Sequence, residues 1–358
     1  MSSISYAQGS YRILVGSYTQ NTPATGISLY SLDTSTLQSS LEGSAPTDNP
    51  SFVILSQDGG TVYCVNEFND GRQGVSSFSL QGNTLKETSH LSIPENITPG
   101  GDPCNLLLAS GAIVTSNYTG GTLTSFRLKE DGTLDALSQA FNPVKEFQGL
   151  GLFKEGDAHM HCAVLSPDGK YIFAVNLGND CVHRFELGPD GLPLGVSTVA
   201  WSHRGPSHPG PRHMVFSQDG KYAYLLCELG DKLVSFRYQG GNLIPMQTVT
   251  AYTGKGHGSA DIHISPDGRF LYTSHRLKDE GISIFSIGAG GKVRRTGFQP
   301  TGKHPRNFAI SPDGNLLLCA CRDDDRIEIY RIDKKTGALS NTGKSIETGA
   351  PVCIQFIR

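Results

Sequence analysis

The chain has 358 residues, more than one hydrophobic core usually serves, so it holds several domains or a repeat whose core is divided among units. Its 30 Lys and Arg against 33 Asp and Glu give a formal net charge of −3 with no basic stripe, which excludes an electrostatic footprint for nucleic acid or an anionic membrane. The 43 glycines and the Val-, Ile-, Tyr- and Phe-rich runs fit a turn-dense all-β chain, and no apolar run reaches the length of a membrane span.

In chain order, residues 1–10 read as an N-terminal extension. Residues 1–20 hold one arginine and no apolar run of signal-peptide length, so a cytoplasmic location is expected. Residues 11–358 read as a single domain. Paired strands are predicted at 11–16 and 26–32, 62–66 and 75–80, 113–117 and 122–128, and 171–176 and 182–187. Three more pairs follow at 222–227 and 233–238, 270–274 and 282–287, and 316–320 and 327–332.

A Ser-x-Asp-Gly turn begins at Ser56, Ser166, Ser217, Ser265 and Ser311, where glycine accepts the positive φ that a tight hairpin needs. Asp168, Asp219, Asp267 and Asp313 lie 51, 48 and 46 residues apart, and the gap of 110 before Asp168 leaves room for a degenerate copy at Ser110 and Gly111. Four antiparallel strands in about 50 residues is the size of a propeller blade. The fold class expected is all-β, a seven-bladed β-propeller. The first unit lacks its opening strand, and the final strand, 351–357, resembles the missing one, so it is expected to close the ring and hide the edges.

The start of a blade's first strand and the end of its second lie at one end of the hairpin, so these positions from every blade converge on one channel mouth. Seven residues before the turn aspartate stand Ser51, His161, Arg212, Ala260 and Arg306; nine after it stand Glu67, Leu177, Glu228, Arg276 and Arg322. Arginines, glutamates and a histidine beside apolar strand interiors are paired or desolvated, the setting that tunes groups for acid–base work. Alternation puts His159 on the face of His161. His213, and Asn117 with Asp102, Asn105 and Tyr118 from the degenerate blade, are further candidates to line the channel. Lys154, Arg204, His208 and Lys255 are rim cations able to grip a phosphate.

His159-x-His161 is a conceivable metal pair, but zinc needs three or four convergent ligands and the acidic neighbours here have arginines beside them, so no metal and no cofactor are expected. The eight cysteines fall in predicted strands and read as small core residues. There is no Gly-rich phosphate loop and no Gly-x-Ser-x-Gly elbow, which argues against serine chemistry.

At 210–216 (Gly-Pro-Arg-His-Met-Val-Phe), 260–269 (Ala-Asp-Ile-His-Ile-Ser-Pro-Asp-Gly-Arg) and 49–56 (Asn-Pro-Ser-Phe-Val-Ile-Leu-Ser) the chain resembles the lactonase family of seven-bladed propellers. That family includes propeller-type 6-phosphogluconolactonases and the fungal carboxymuconate cyclase. The resemblance runs from about residue 12 to 357. It implies a small anionic lactone substrate, a metal-independent site, and His161, Arg212, Glu228 and Arg276 as the catalytic set. Substrate-binding roles are expected for Glu67, His159, His213, Arg306, Arg322 and Asn117. The expected reaction is hydrolysis of a sugar-acid lactone, 6-phosphogluconolactone first, with Glu228 or His161 taking the proton from water. Alternatives are cycloisomerisation or hydrolysis of a carboxylated muconolactone, and a binding propeller without turnover. A quinone-dependent dehydrogenase is disfavoured by the single tryptophan, Trp201.

Overall fold

A computed structural model describes residues 9–99, 101–147 and 157–357. Among them the chain forms seven four-stranded antiparallel sheets. The fifth is typical: Pro211–Phe216, Tyr222–Cys227, Lys232–Gln239 and Asn242–Thr250, in that order from inside out. The predicted third blade, which lacks the turn motif, is present as Pro103–Ala109, Ala112–Asn117, Thr122–Leu128 and Leu134–Phe141, with the turn at Ser110 and Gly111 in positive φ. One short α-helix, Pro143–Glu146, and one 3₁₀ turn, Arg322–Asp324, interrupt the described β structure.

The ring closes as expected. Pro351–Ile357 pairs antiparallel with Ser10–Ser17 and serves as the inner strand of the first blade. Each blade's inner strand touches the inner strands of both neighbours, so the seven surround one axis. The apolar core is divided in the same way, with one buried cluster at each of the seven blade-to-blade interfaces. A single blade would leave both faces wet, so the blades stabilise one another only as a ring.

The repeated turn explains itself chemically. In all five copies the serine hydroxyl donates to the aspartate Oδ1 at 2.5–2.7 Å, and the glycine sits at φ of 68–76°. All eight cysteines lie in strands, buried and free. Among the described residues no helix is long and apolar enough to cross a membrane.

Candidate active site

The inner strands share an irregularity that builds the site. Pairing with the second strand slips at Pro103/Asn105, Met160/Cys162, Pro211/His213, Ser259/Ile262 and Pro305/Asn307, and in the closing blade it steps over Val352. A bulge leaves its residue out of the ladder and re-aims the side chain. The residues bulged out are Cys104, His161, Arg212, Ala260, Arg306 and Val352; with Ser51, one from each blade, they form the inner ring.

A second ring lies where the second strands end. The backbone N–H groups of Tyr18, Glu67, Tyr118, Leu177, Glu228, Arg276 and Arg322 donate to Ala350, Asn49, Asp102, His159, Gly210, Gly258 and His304 carbonyls respectively, at 2.7–3.2 Å. This bond, repeated in every blade, identifies Tyr18 and Tyr118 as members that the turn-based count could not reach, because their blades lack the Ser-x-Asp-Gly landmark.

Charged groups of the two rings interlock on one side of the mouth. Arg212 Nε lies 2.9 Å from Glu228 Oε2, and Arg276 Nη2 lies 2.6 Å from Glu228 Oε1, so one carboxylate holds two guanidiniums from adjacent blades. Arg212 is 1% exposed; its Nη1 also donates to the carbonyl of Ala260, the small inner-ring residue over which it passes. Burial pushes the Glu228 pKa up, but Arg276 and Arg212 outweigh it and hold the carboxylate ionised. His161, buried and close to Arg212, has its pKa driven far down, by desolvation first, and is a neutral imidazole.

Across the mouth, Glu67 has different company. Tyr18 Oη donates to its Oε1 at 2.9 Å, Ser51 Oγ donates to its Oε2, and Arg306 Nη2 stands 3.9 Å away with its guanidinium 5.7 Å from the centre of the Tyr18 ring. A cavity of about 580 Å³ opens over this half of the mouth, lined by Tyr18, Asn49, Glu67, Asp102 and Arg322 among others.

Not every expected residue joins the group. The Asn117 amide donates inside its own blade to Thr122 and Thr124, at 3.0 and 3.1 Å, and is fully buried, so it presents nothing to an open channel. Arg322 is anchored to its neighbour Asp323 at 2.6 Å and stays at the rim. His159 and His161 both meet Tyr118, the first stacked at 4.5 Å and the second edge-on at 5.5 Å; the bulge between Met160 and Cys162 breaks the alternation that would have given them one orientation. His159 Nδ1 is bonded to the Tyr118 carbonyl. Asn105 accepts the Ala163 N–H of the next blade, and Asp102 accepts from Thr119 and Asn69. Among the rim cations, His208 pairs with Asp180, while Arg204 and Lys255 are exposed; Lys154 lies outside the described residues.

His213 turns away from open space into a buried network. Its Nδ1 is 2.9 Å from Asp261 Oδ1, whose other oxygen is 2.9 Å from His263 Nε2 and accepts from Asn307 Nδ2 at 2.6 Å. Asp261 has no counterpart in either ring, and only its neighbour to Ala260 hinted at it in the sequence. Desolvation and the nearby Arg212 lower the His213 pKa to about 4. Among the described residues no three His, Cys, Asp or Glu side chains stand close enough to hold a metal ion.

Residues 12–356 match the family model described as Lactonase, 7-bladed beta-propeller. A 6-phosphogluconolactonase of Formosa agariphila is 34% identical, with 96% of this chain and 99% of that protein covered. The Bacillus subtilis 6-phosphogluconolactonase is 29% identical over 96% and 97%. The solved structure of a periplasmic gluconolactonase of Pseudomonas aeruginosa, 28% identical, covers 98% of this chain and 99% of its own with a TM-score of 0.86.

Proposed function

The chain belongs to the lactonase family of seven-bladed β-propellers, and from that premise we propose that it hydrolyses a sugar-acid lactone, 6-phosphogluconolactone to 6-phosphogluconate. The observation that carries this reading is the charge balance of the mouth. Among the described side chains of the two rings, Arg212, Arg276 and Arg306 share two carboxylates, Glu67 and Glu228, so one guanidinium charge is left over deep in the mouth for the substrate's phosphate and for the oxygen that becomes negative, while Asp70, Asp102, Asp323 and Asp325 line the outer cavity.

The arginines divide the work by their constraints. Arg212 is wholly buried and tied to Glu228 and the Ala260 carbonyl, so it supplies field and holds Glu228 in place. Arg306, the most exposed of the three, and Arg276, which is bonded to Glu228 through one Nη only, are the guanidiniums assigned to meet substrate, one at the anionic group and one at the carbonyl oxygen, where a planar fork suits the contact. His161 contributes a neutral imidazole beside them. The reaction fits hexose-phosphate oxidation in the pentose phosphate pathway, and eight reduced, strand-buried thiols fit a cytoplasmic setting.

The test is selectivity. With 6-phosphogluconolactone and its unphosphorylated counterpart assayed side by side, kcat/KM for the phosphorylated lactone should be higher by about 10² or more, the scale of a buried charge-assisted contact. Equal values would remove the phosphate from the account.

A further inference from the structure

Two glutamates occupy equivalent positions in the outer ring, on the second and fifth blades, and their surroundings differ in kind. Glu228 is held by two guanidiniums at 2.6 and 2.9 Å. Glu67 is held by two neutral hydroxyls, Tyr18 Oη and Ser51 Oγ, with Arg306 no closer than 3.9 Å. A carboxylate clamped between two guanidiniums is a poor proton acceptor, because protonation would strip both cations of their partner, whereas one oriented by hydroxyls breaks no such close ion pair when it takes a proton. Both carboxylates are partly exposed, and Glu67 lines the cavity of about 580 Å³, which gives water and the substrate ring access to it.

We propose, resting on the lactonase reading above, that Glu67 takes the proton from the attacking water, and that Tyr18 and Ser51 are positioning residues for its carboxylate. Water gives one proton to Glu67 as its oxygen bonds to the lactone carbonyl carbon. The carbonyl electron pair moves to the oxygen facing the guanidiniums. When the tetrahedral species collapses, the C=O re-forms, the ring C–O bond breaks, and the departing ring oxygen takes the proton back from Glu67. One lactone and one water become one hydroxy acid, with no other reactant. Tyr18 suits its task because burial raises its pKa, so it remains a donor, and Arg306 beside its ring fixes the orientation. The other charged groups around Glu67 and its cavity are Arg306 from the seventh blade and Asp70, Asp102, Arg322, Asp323 and Asp325.

The experiment compares Glu67→Gln, Glu228→Gln and Tyr18→Phe in the full chain, with 6-phosphogluconolactone as substrate between pH 5 and 8. Glu67→Gln should lose about 10²- to 10⁴-fold in kcat, the usual worth of a general base, with KM within about threefold. Formate should restore part of the turnover of Glu67→Ala. Glu228→Gln should act mainly on KM. Tyr18→Phe removes a donor from the carboxylate, so the acid limb of its kcat/KM profile should move to higher pH. A kcat for Glu67→Gln within threefold of wild type, while Arg276→Ala is crippled, overturns the role of Glu67 and leaves the lactonase reading standing. A wild-type chain that does not accelerate lactone opening overturns both.

Discussion

Arg212 and Arg276 come from adjacent blades, 64 residues apart in sequence, yet they grip the two oxygens of one carboxylate, that of Glu228. Two cations side by side repel each other, so Glu228 is the condition for their coexistence, and the pair is the strongest sign that the mouth is built to hold positive charge.

The two arginines should fail differently. Arg212→Ala deletes a fully buried side chain and leaves the Ala260 carbonyl and one Glu228 oxygen without a partner, so it should cost about 3–5 kcal/mol of stability, read by urea unfolding. Arg276, also buried but without the Ala260 bond, should cost less stability when cut to Ala and should lower turnover by about 10²–10³, as for a lost oxyanion donor. Equal stability losses with unchanged turnover would contradict the division.

Acid should loosen the ring before it protonates ordinary carboxylates. His213 is held at about 4, and His183 and His275 at about 3, each by burial first, against an ordinary value near 6.5. The unfolded chain therefore binds these protons first; stability is full above about pH 6.5 and falls as pH drops towards 4, by up to about 1.4 kcal/mol per unit per histidine. Asp261, whose pKa is depressed by His263 and His213 against the pull of burial, adds a loss below the ordinary carboxylate range. A urea midpoint that stays flat from pH 7 to 4.5 would refute this.

Closure makes its own prediction. Pro351–Ile357 supplies buried Val352, Cys353, Ile354 and Phe356 to the first blade, and without it the strand Ser10–Ser17 becomes an open edge. A chain ending at Ala350 should lose its cooperative thermal transition or aggregate. Cooperative melting within a few degrees of the full chain would show that the ring does not depend on it.

The architecture was legible because one tetrapeptide, at Ser56, Ser166, Ser217, Ser265 and Ser311, is used for the same hydrogen bond each time, and counting from it reaches both rings. The count placed Arg212, Glu228, Arg276, Arg306 and Glu67 at one mouth. It stopped where the landmark is missing: Tyr18 and Cys104 belong to the rings, but their blades carry no Ser-x-Asp-Gly. Asn117 misled because a polar residue at a strand end can bond within its sheet as readily as face the channel. The bulges that aim His161 and Arg212 inward leave no mark in the residue pattern, since a bulge alters pairing and not composition.

The most direct test of the central claim follows acid release from freshly prepared 6-phosphogluconolactone at neutral pH against an enzyme-free blank. The account predicts opening well above the spontaneous rate with wild-type protein, and a return towards that rate with Arg276→Ala. Wild-type and blank traces that coincide for this lactone and for unphosphorylated lactones would contradict it.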